Sequence, residues 1–212
     1  MFRKPCLIAL LAALAACDSG TIDPIVPADS IRALTIDEQQ VVSASNTFAF
    51  DLLREANAAE TAKPNLMVSP LSASMALGMA LNGAAGSTFT AMRGTLGFGT
   101  QAESQINAAY AGLIRQLYAR AGTRVQFALA NAVWYDTGFP VYASFTDTLE
   151  HYFDAEVRQL DFASATAPQT ISQWAEQKTG GRIKNLLDRI DDNEVLFLVN
   201  AVYFKAPWSK AF

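Results

Sequence analysis

One histidine in 212 residues leaves little room for acid–base or metal chemistry. That residue, His151, sits beside Tyr152 and Phe153 at a predicted helix end, where a structural role is the natural reading. No Gly-x-Ser-x-Gly elbow occurs, which removes the commonest strand-to-helix nucleophile. Charge is also sparse: 17% of residues are charged, with 16 basic against 20 acidic, a net charge of −4. An acidic balance excludes a phosphate-tracking nucleic-acid surface and adsorption to anionic lipid. What the chain has in quantity is apolar residues, 51% of the total, enough to build a buried core without disulfides.

The two cysteines both fall in the first 17 residues, Cys6 and Cys17. Met1-Phe2-Arg3-Lys4 is a short basic start, and Leu7 to Ala16 is an unbroken apolar run. The run is too short for a permanent span but fits the apolar region of an export signal. It ends in Leu14-Ala15-Ala16-Cys17, which resembles the lipobox of bacterial lipoproteins. That resemblance implies a signal peptide over 1–16 and a lipid on Cys17; a plain cleaved signal is the alternative. Cleavage would leave no second thiol, hence no disulfide and no Cys–His pair. Without Arg3 and Lys4 the charge becomes 14 basic against 20 acidic, or −6. Contact with the membrane is then expected through the lipid alone. Asp18, next to Cys17, resembles a retention signal of some enteric bacteria, so the inner or outer membrane, or secretion, all stay open.

Residues 17–40 contain Pro24 and Pro27 and hold no sustained period, so they read as a tether. The folded domain is expected over 41–212. Phe48, Leu52 and Leu53 mark a first helix, and Leu66-Met67-Val68 reads as a short strand. Ser69-Pro70 opens a second helix, with Leu71, Met75 and Met79 on one face and Asn82-Gly83 at its end. Ser87 is expected to cap a third helix ending at Gly97, and Ile106, Tyr110, Leu113, Ile114 and Leu117 mark a fourth. From Val125 to Tyr135 the period changes to two, with Phe127, Leu129, Asn131 and Val133 opposite alanines. This predicts a strand covered on both faces. Phe145 and Leu149 lie on a helix, Val157 to Leu160 on a strand, and Ile171, Trp174 and Ala175 on a helix from Pro168 to Gly180. Val195 to Phe204 is a nearly all-apolar strand that calls for partners on both sides. The class is α+β, helices packed on a large, mostly antiparallel sheet that reads as incomplete at the C-terminus.

Two further patterns carry little chemistry. Asp188, Asp191, Asp192 and Glu194 cluster before the last strand without a calcium-loop pattern. They read as a solvated flank that keeps an apolar strand from self-pairing, a weak cation site being the alternative. Gly83-Ala84-Ala85-Gly86-Ser87-Thr88 lacks the lysine of a phosphate loop and follows a helix, so it reads as a turn. No cofactor or metal is implied.

Four segments in order carry a family likeness. Asn65-Leu66-Met67-Val68-Ser69-Pro70-Leu71-Ser72 with Leu81-Asn82-Gly83-Ala84 resembles the strand-to-helix passage near the start of serpins. Phe127-Ala128-Leu129-Ala130-Asn131-Ala132-Val133-Trp134, with Gly138-Phe139-Pro140, is similar to the second strand of the family's main sheet and its turn. Trp174 to Leu187 resembles the helix and loop laid across that sheet, and Leu198 to Lys205 with Trp208 the third strand and its end. The resemblance covers residues 43–212 and implies the front half of a serpin domain. It implies a "shutter" role for Ser69, Ser72 and Asn200, and a "breach" role for Trp208. Read without the family, Ser69 is an ordinary N-cap, Asn200 a satisfied buried amide and Trp208 a core residue.

The family traps proteases by inserting a cleaved reactive loop beside the third strand. In serpins that loop follows the region matched here, so no scissile bond can be named and the chain as written is expected to be inactive. The implied partner of a complete protein is a serine or cysteine endopeptidase. A natural remnant and a non-inhibitory surface binding module are the competing readings; an enzyme is remote.

Overall fold

The computed structural model describes residues 31–60, 65–121 and 125–210. Cys17 and the 1–16 segment lie outside them. Within them run α1 (Ile36–Ala59), α2 (Pro70–Leu81), α3 (Gly86–Thr95), α4 (Glu103–Ala121), β1 (Gln126–Asp136), α5 (Ala143–Phe153), β2 (Ala155–Leu160), α6 (Ala167–Lys178) and β3 (Leu196–Lys205).

The sheet is mixed, in the order β2-β1-β3, with β1 parallel to β2 and antiparallel to β3. The period-two pattern of β1 divides its side chains between two cores. Leu129 and Val133, with half-buried Phe127, face a core built from Val41, Phe48, Met75, Met79, Ile106, Tyr110, Leu149 and Phe153. Ala130, Ala132 and Trp134 face a second core with Ile171, Trp174 and Ala175 of α6 and with Val199 and Ala201 of β3. The alanines leave room for α6 to approach, while the large residues opposite fill the space between sheet and helices. Each fully buried large side chain contributes roughly 1.5–3 kcal/mol, so the two cores hold β1 from both faces. Lys178 at the end of α6 also reaches Glu156 on β2 at 2.6 Å.

Three local expectations change. Residues 65–69 contain no strand, and Met67 is 95% exposed. An apolar triplet becomes a strand only when a ladder partner lies beside it, and no described residue pairs with Leu66-Met67-Val68. The third helix starts at Gly86 with Ala85 at its N-cap, so Ser87 does not cap it. Gly86 has φ +57, a conformation that releases the chain from the preceding turn into the helix. Ser69 is the N-cap of α2, but its side chain caps nothing.

The first helix begins before the expected residue 41, and the preceding turn is part of the packed fold. Thr35 and Glu38 form a capping box, each side chain meeting the other's backbone N–H. Glu38 is 2% exposed. Its carboxylate accepts two hydrogen bonds from the Arg32 guanidinium, at 2.5 and 2.7 Å. Gly112 of α4 leaves the space, since a Cβ there would collide with Glu38 Oε1. The Arg32 hydrogen bonds hold the Glu38 carboxyl below the usual glutamate range; burial opposes this, and Thr35 adds to it. A depressed folded-state value means stability present above the ordinary glutamate range and lost as pH falls through the folded value. Glu38→Gln is therefore expected to cost about 1–2 kcal/mol at pH 7, discounted for the half-exposed arginine. The gap to wild type should close in acid; thermal melts of both proteins from pH 7 to pH 3 check this.

Candidate functional site

Two asparagines interrupt the apolar strands, and register sets them opposite each other, Asn131 on β1 and Asn200 on β3. Asn131 is 1% exposed. Its Nδ2 donates to the carbonyl of Phe153 at 2.7 Å, at the end of α5. Its Oδ1 accepts from Asn200 Nδ2 at 2.8 Å. The carbonyl is available because α5 stops there: Asp154 takes a left-handed conformation, φ 51, and turns the chain into β2. The result is a polar chain from a helix end through the middle strand to β3.

The chain stops short of full satisfaction. Asn200 Oδ1 is buried and accepts no hydrogen bond among the described residues. An unsatisfied buried carbonyl of this kind costs about 1–3 kcal/mol. β3 lies at the sheet edge among the described residues, and by strand alternation Asn200 points to the same face as Leu198 and Val202, toward the helical core.

The residues singled out in the sequence fall in separate places. Asn200 is in the amide chain. Ser69 Oγ donates to Ser72 Oγ at 2.9 Å, forming an exposed pair at the start of α2. The hydrogen bonds thus form two pairs, Ser69 with Ser72 and Asn131 with Asn200, on neighbouring elements, since α2 packs against β3. Trp208 follows β3 and is 75% exposed, so it is not a core residue. His151 is exposed and stacks edge-on against Tyr152, with ring centroids 4.5 Å apart. In the acidic loop the Asp191 N–H donates to Glu194 at 2.6 Å, and Arg189 pairs with Asp191 at 3.0 Å. Asn131 was noted in the sequence only for its direction along the strand. The available signal was an amide in each of two strands otherwise apolar over long stretches.

An open groove between α1 and the α3–α4 loop, about 400 Å³, is lined by Gln40, Ser43, Thr47, Thr100 and Gln101. Those neutral side chains include no thiol, imidazole or carboxylate. The amide chain likewise holds no group that could act as nucleophile or general base at neutral pH. What it can do is exchange hydrogen-bond partners as strands move.

The family model described as Serpin (serine protease inhibitor) matches residues 43–212. The chain belongs to the serpin family. It is 31% identical to human corticosteroid-binding globulin over 195 residues, 91% of this chain and 48% of that protein. With human serpin B9 it shares 34% over 174 residues, 80% of this chain and 45% of that one. Among solved structures, emu ovalbumin superposes with TM-score 0.74 at 25% identity, covering 82% of this chain and 48% of that one. Cleaved kallistatin complexed with heparin gives the same score and identity over 82% of this chain and 52% of its own. The chain therefore spans about half the length of the curated relatives it matches. Serpins are mostly inhibitors rather than enzymes, and relatives outside the cell are common among them. Among the described residues no helix is long and apolar enough to cross a membrane.

Replacing Asn131 by Ala should cost more than replacing Asn200, because it orphans both the Phe153 carbonyl and the Asn200 amide. Expected losses are about 2–4 kcal/mol for Asn131→Ala, about 1 for Asn200→Ala and under about 0.5 for Ser69→Ala. Urea denaturation midpoints of the three variants give the ranking.

Proposed function

We propose that this chain is the N-terminal half of a loop-insertion inhibitor of serine endopeptidases, exported and anchored at the cell envelope by lipid on Cys17. The observation that carries the inhibitor reading is the serpin match over 43–212 combined with the orphan acceptor Asn200 Oδ1 on the edge strand. In this reading Asn200, with Asn131 behind it and the Ser69–Ser72 pair on α2, forms the shutter under the opening sheet. The amides hold a hydrogen-bonding arrangement that an arriving strand can complete. In the same reading Trp208, exposed just beyond β3, takes the breach role, where insertion begins. Trapping is a rearrangement of strands, and the chain needs no catalytic group for it. Cysteine endopeptidases are a second target class by the same mechanism.

The test uses the complete gene product. Mixed with a panel of serine endopeptidases, it is expected to give a complex that survives SDS. Cleavage without any trapped protease across the panel would overturn inhibition. It would favour the second reading, a non-inhibitory binding module, which the similarity to corticosteroid-binding globulin supports. A natural remnant predicts instead a cellular product no larger than 22.9 kDa.

The lipid reading rests on the basic start, the apolar run and Leu14-Ala15-Ala16-Cys17. Cys17→Ser is expected to abolish incorporation of labelled fatty acid and to move the protein from the membrane fraction to the soluble one. Unchanged labelling and fractionation would overturn it.

A further inference from the structure

Arg32 is the sole basic residue between Cys17 and Arg54, and every group a protease would need from it is already engaged. A serine protease of arginine specificity reads its substrate as an extended strand. It takes the guanidinium into an acidic pocket and the scissile carbonyl oxygen into its oxyanion hole. Here the guanidinium is held by Glu38, whose side chain is 3% exposed. The Arg32 carbonyl accepts from Arg120 Nη2 at 3.2 Å. The Arg32 backbone N–H donates to Gln116 Oε1 at 3.3 Å. The guanidinium also donates to the Ala33 carbonyl at 2.9 Å. Despite these bonds the segment is a surface strap. The Arg32 side chain is 42% exposed, and the neighbouring Ile31 is 62% exposed.

We infer that the Arg32–Ala33 bond is a latched processing site for a protease of trypsin-like specificity, guarded by Glu38 and by the Gln116 and Arg120 contacts on α4. Hydrolysis adds water across that amide, leaving a carboxylate on Arg32 and an amine on Ala33. The cut falls before the Thr35 cap of α1, so both cores stay whole. Where Cys17 carries a lipid, the cut frees the domain from the membrane; this last step rests on the anchor reading, whereas the latch does not. The closed strap cannot be extended into a protease cleft, so the rate follows the fraction of molecules with the strap released. Glu38→Gln removes the charge that holds the guanidinium while keeping a side chain able to cap at that position. Gly112→Ala leaves every charge in place and displaces the Glu38 carboxylate from its seat.

The experiment is trypsin digestion of the full chain at pH 8, with fragments identified by mass. Both variants are expected to be cut after Arg32 about tenfold faster than wild type or more, with Arg115 in the body of α4 still resistant. Arg32→Gln should remove that cut alone. Wild type and both variants cleaved at Arg32 at equal rates would overturn the latch. So would simultaneous cutting at Arg32 and Arg115 in both variants, because the acceleration would then be global unfolding. The same digestion on membranes separates the two readings. Cutting at Arg32 with no release of the domain, or a domain already soluble before cutting, sinks the anchor and leaves the latch standing.

Discussion

The double burial of β1 is the constraint on which the other contacts rest. A strand with one wet face can slip by two residues at modest cost, but a strand packed on both faces cannot slip at all without exposing one core or jamming the other. Leu129 and Val133 on one side and Ala132 and Trp134 on the other fix its position. That in turn fixes the antiparallel ladder to β3 from Gln126–Lys205 to Tyr135–Leu196 and the parallel one to β2 from Asn131–Ala155 to Asp136–Leu160. The helices on one face and α6 on the other are placed by the same residues. Glu156 and Lys178 then tie the end of α6 to the β2 side, away from β3.

A fixed register gives the amides their meaning. Asn131 and Asn200 face each other because of the ladder, and Asn131 reaches the Phe153 carbonyl because α5 ends beneath the middle strand. Apolar residues at both positions would pack β3 against β1 equally well at no desolvation cost. Amides instead confer direction: each bond requires a donor on one side and an acceptor on the other. Asn200 carries that polarity onto β3, with Oδ1 unmet among the described residues. An apolar edge accepts any strand, whereas an edge with a buried acceptor favours one that brings a donor to that point.

The elements legible in the sequence were those defined by their own periodicity. Leu129, Val133 and the intervening alanines gave β1 with both faces covered, and Met75 and Met79 gave the inward face of α2. Ile171, Trp174 and Ala175 with the Gly180 stop gave α6, and the apolar run from Val195 gave β3. What escaped were features defined by distant partners. Leu66-Met67-Val68 has strand composition, yet a strand is a relation between two segments, and the second is not among the described residues. The strap at Arg32 joins Gln116, 84 positions away, and no local pattern announces it. The capping box Thr35-x-x-Glu38 was present as a motif but fell in a stretch whose prolines suggested a tether. Its significance depends on Gly112, whose missing side chain makes the seat for Glu38. Asn131 was visible as an amide in an apolar strand, but its role needed the register to place Asn200 opposite.

The exposed apolar side chains follow from the same geometry. Phe204 on β3 and Trp208 beyond it are 67% and 75% exposed, and Phe50 on α1 is 74% exposed. Singly, such residues are ordinary on a protein surface. Here two lie on or just past the edge strand whose Asn200 acceptor is unmet, and Met67 lies on a backbone stretch without a ladder. Around β3 and the approach to α2 exposed apolar side chains, a stretch without a ladder and a buried acceptor without a partner come together, while buried nitrogens of Gln116, Trp134 and Trp174 lack partners elsewhere among the described residues. Among the described residues β2 and β3 each have β1 as their one sheet neighbour, and unpaired backbone along a strand is what another strand can pair with.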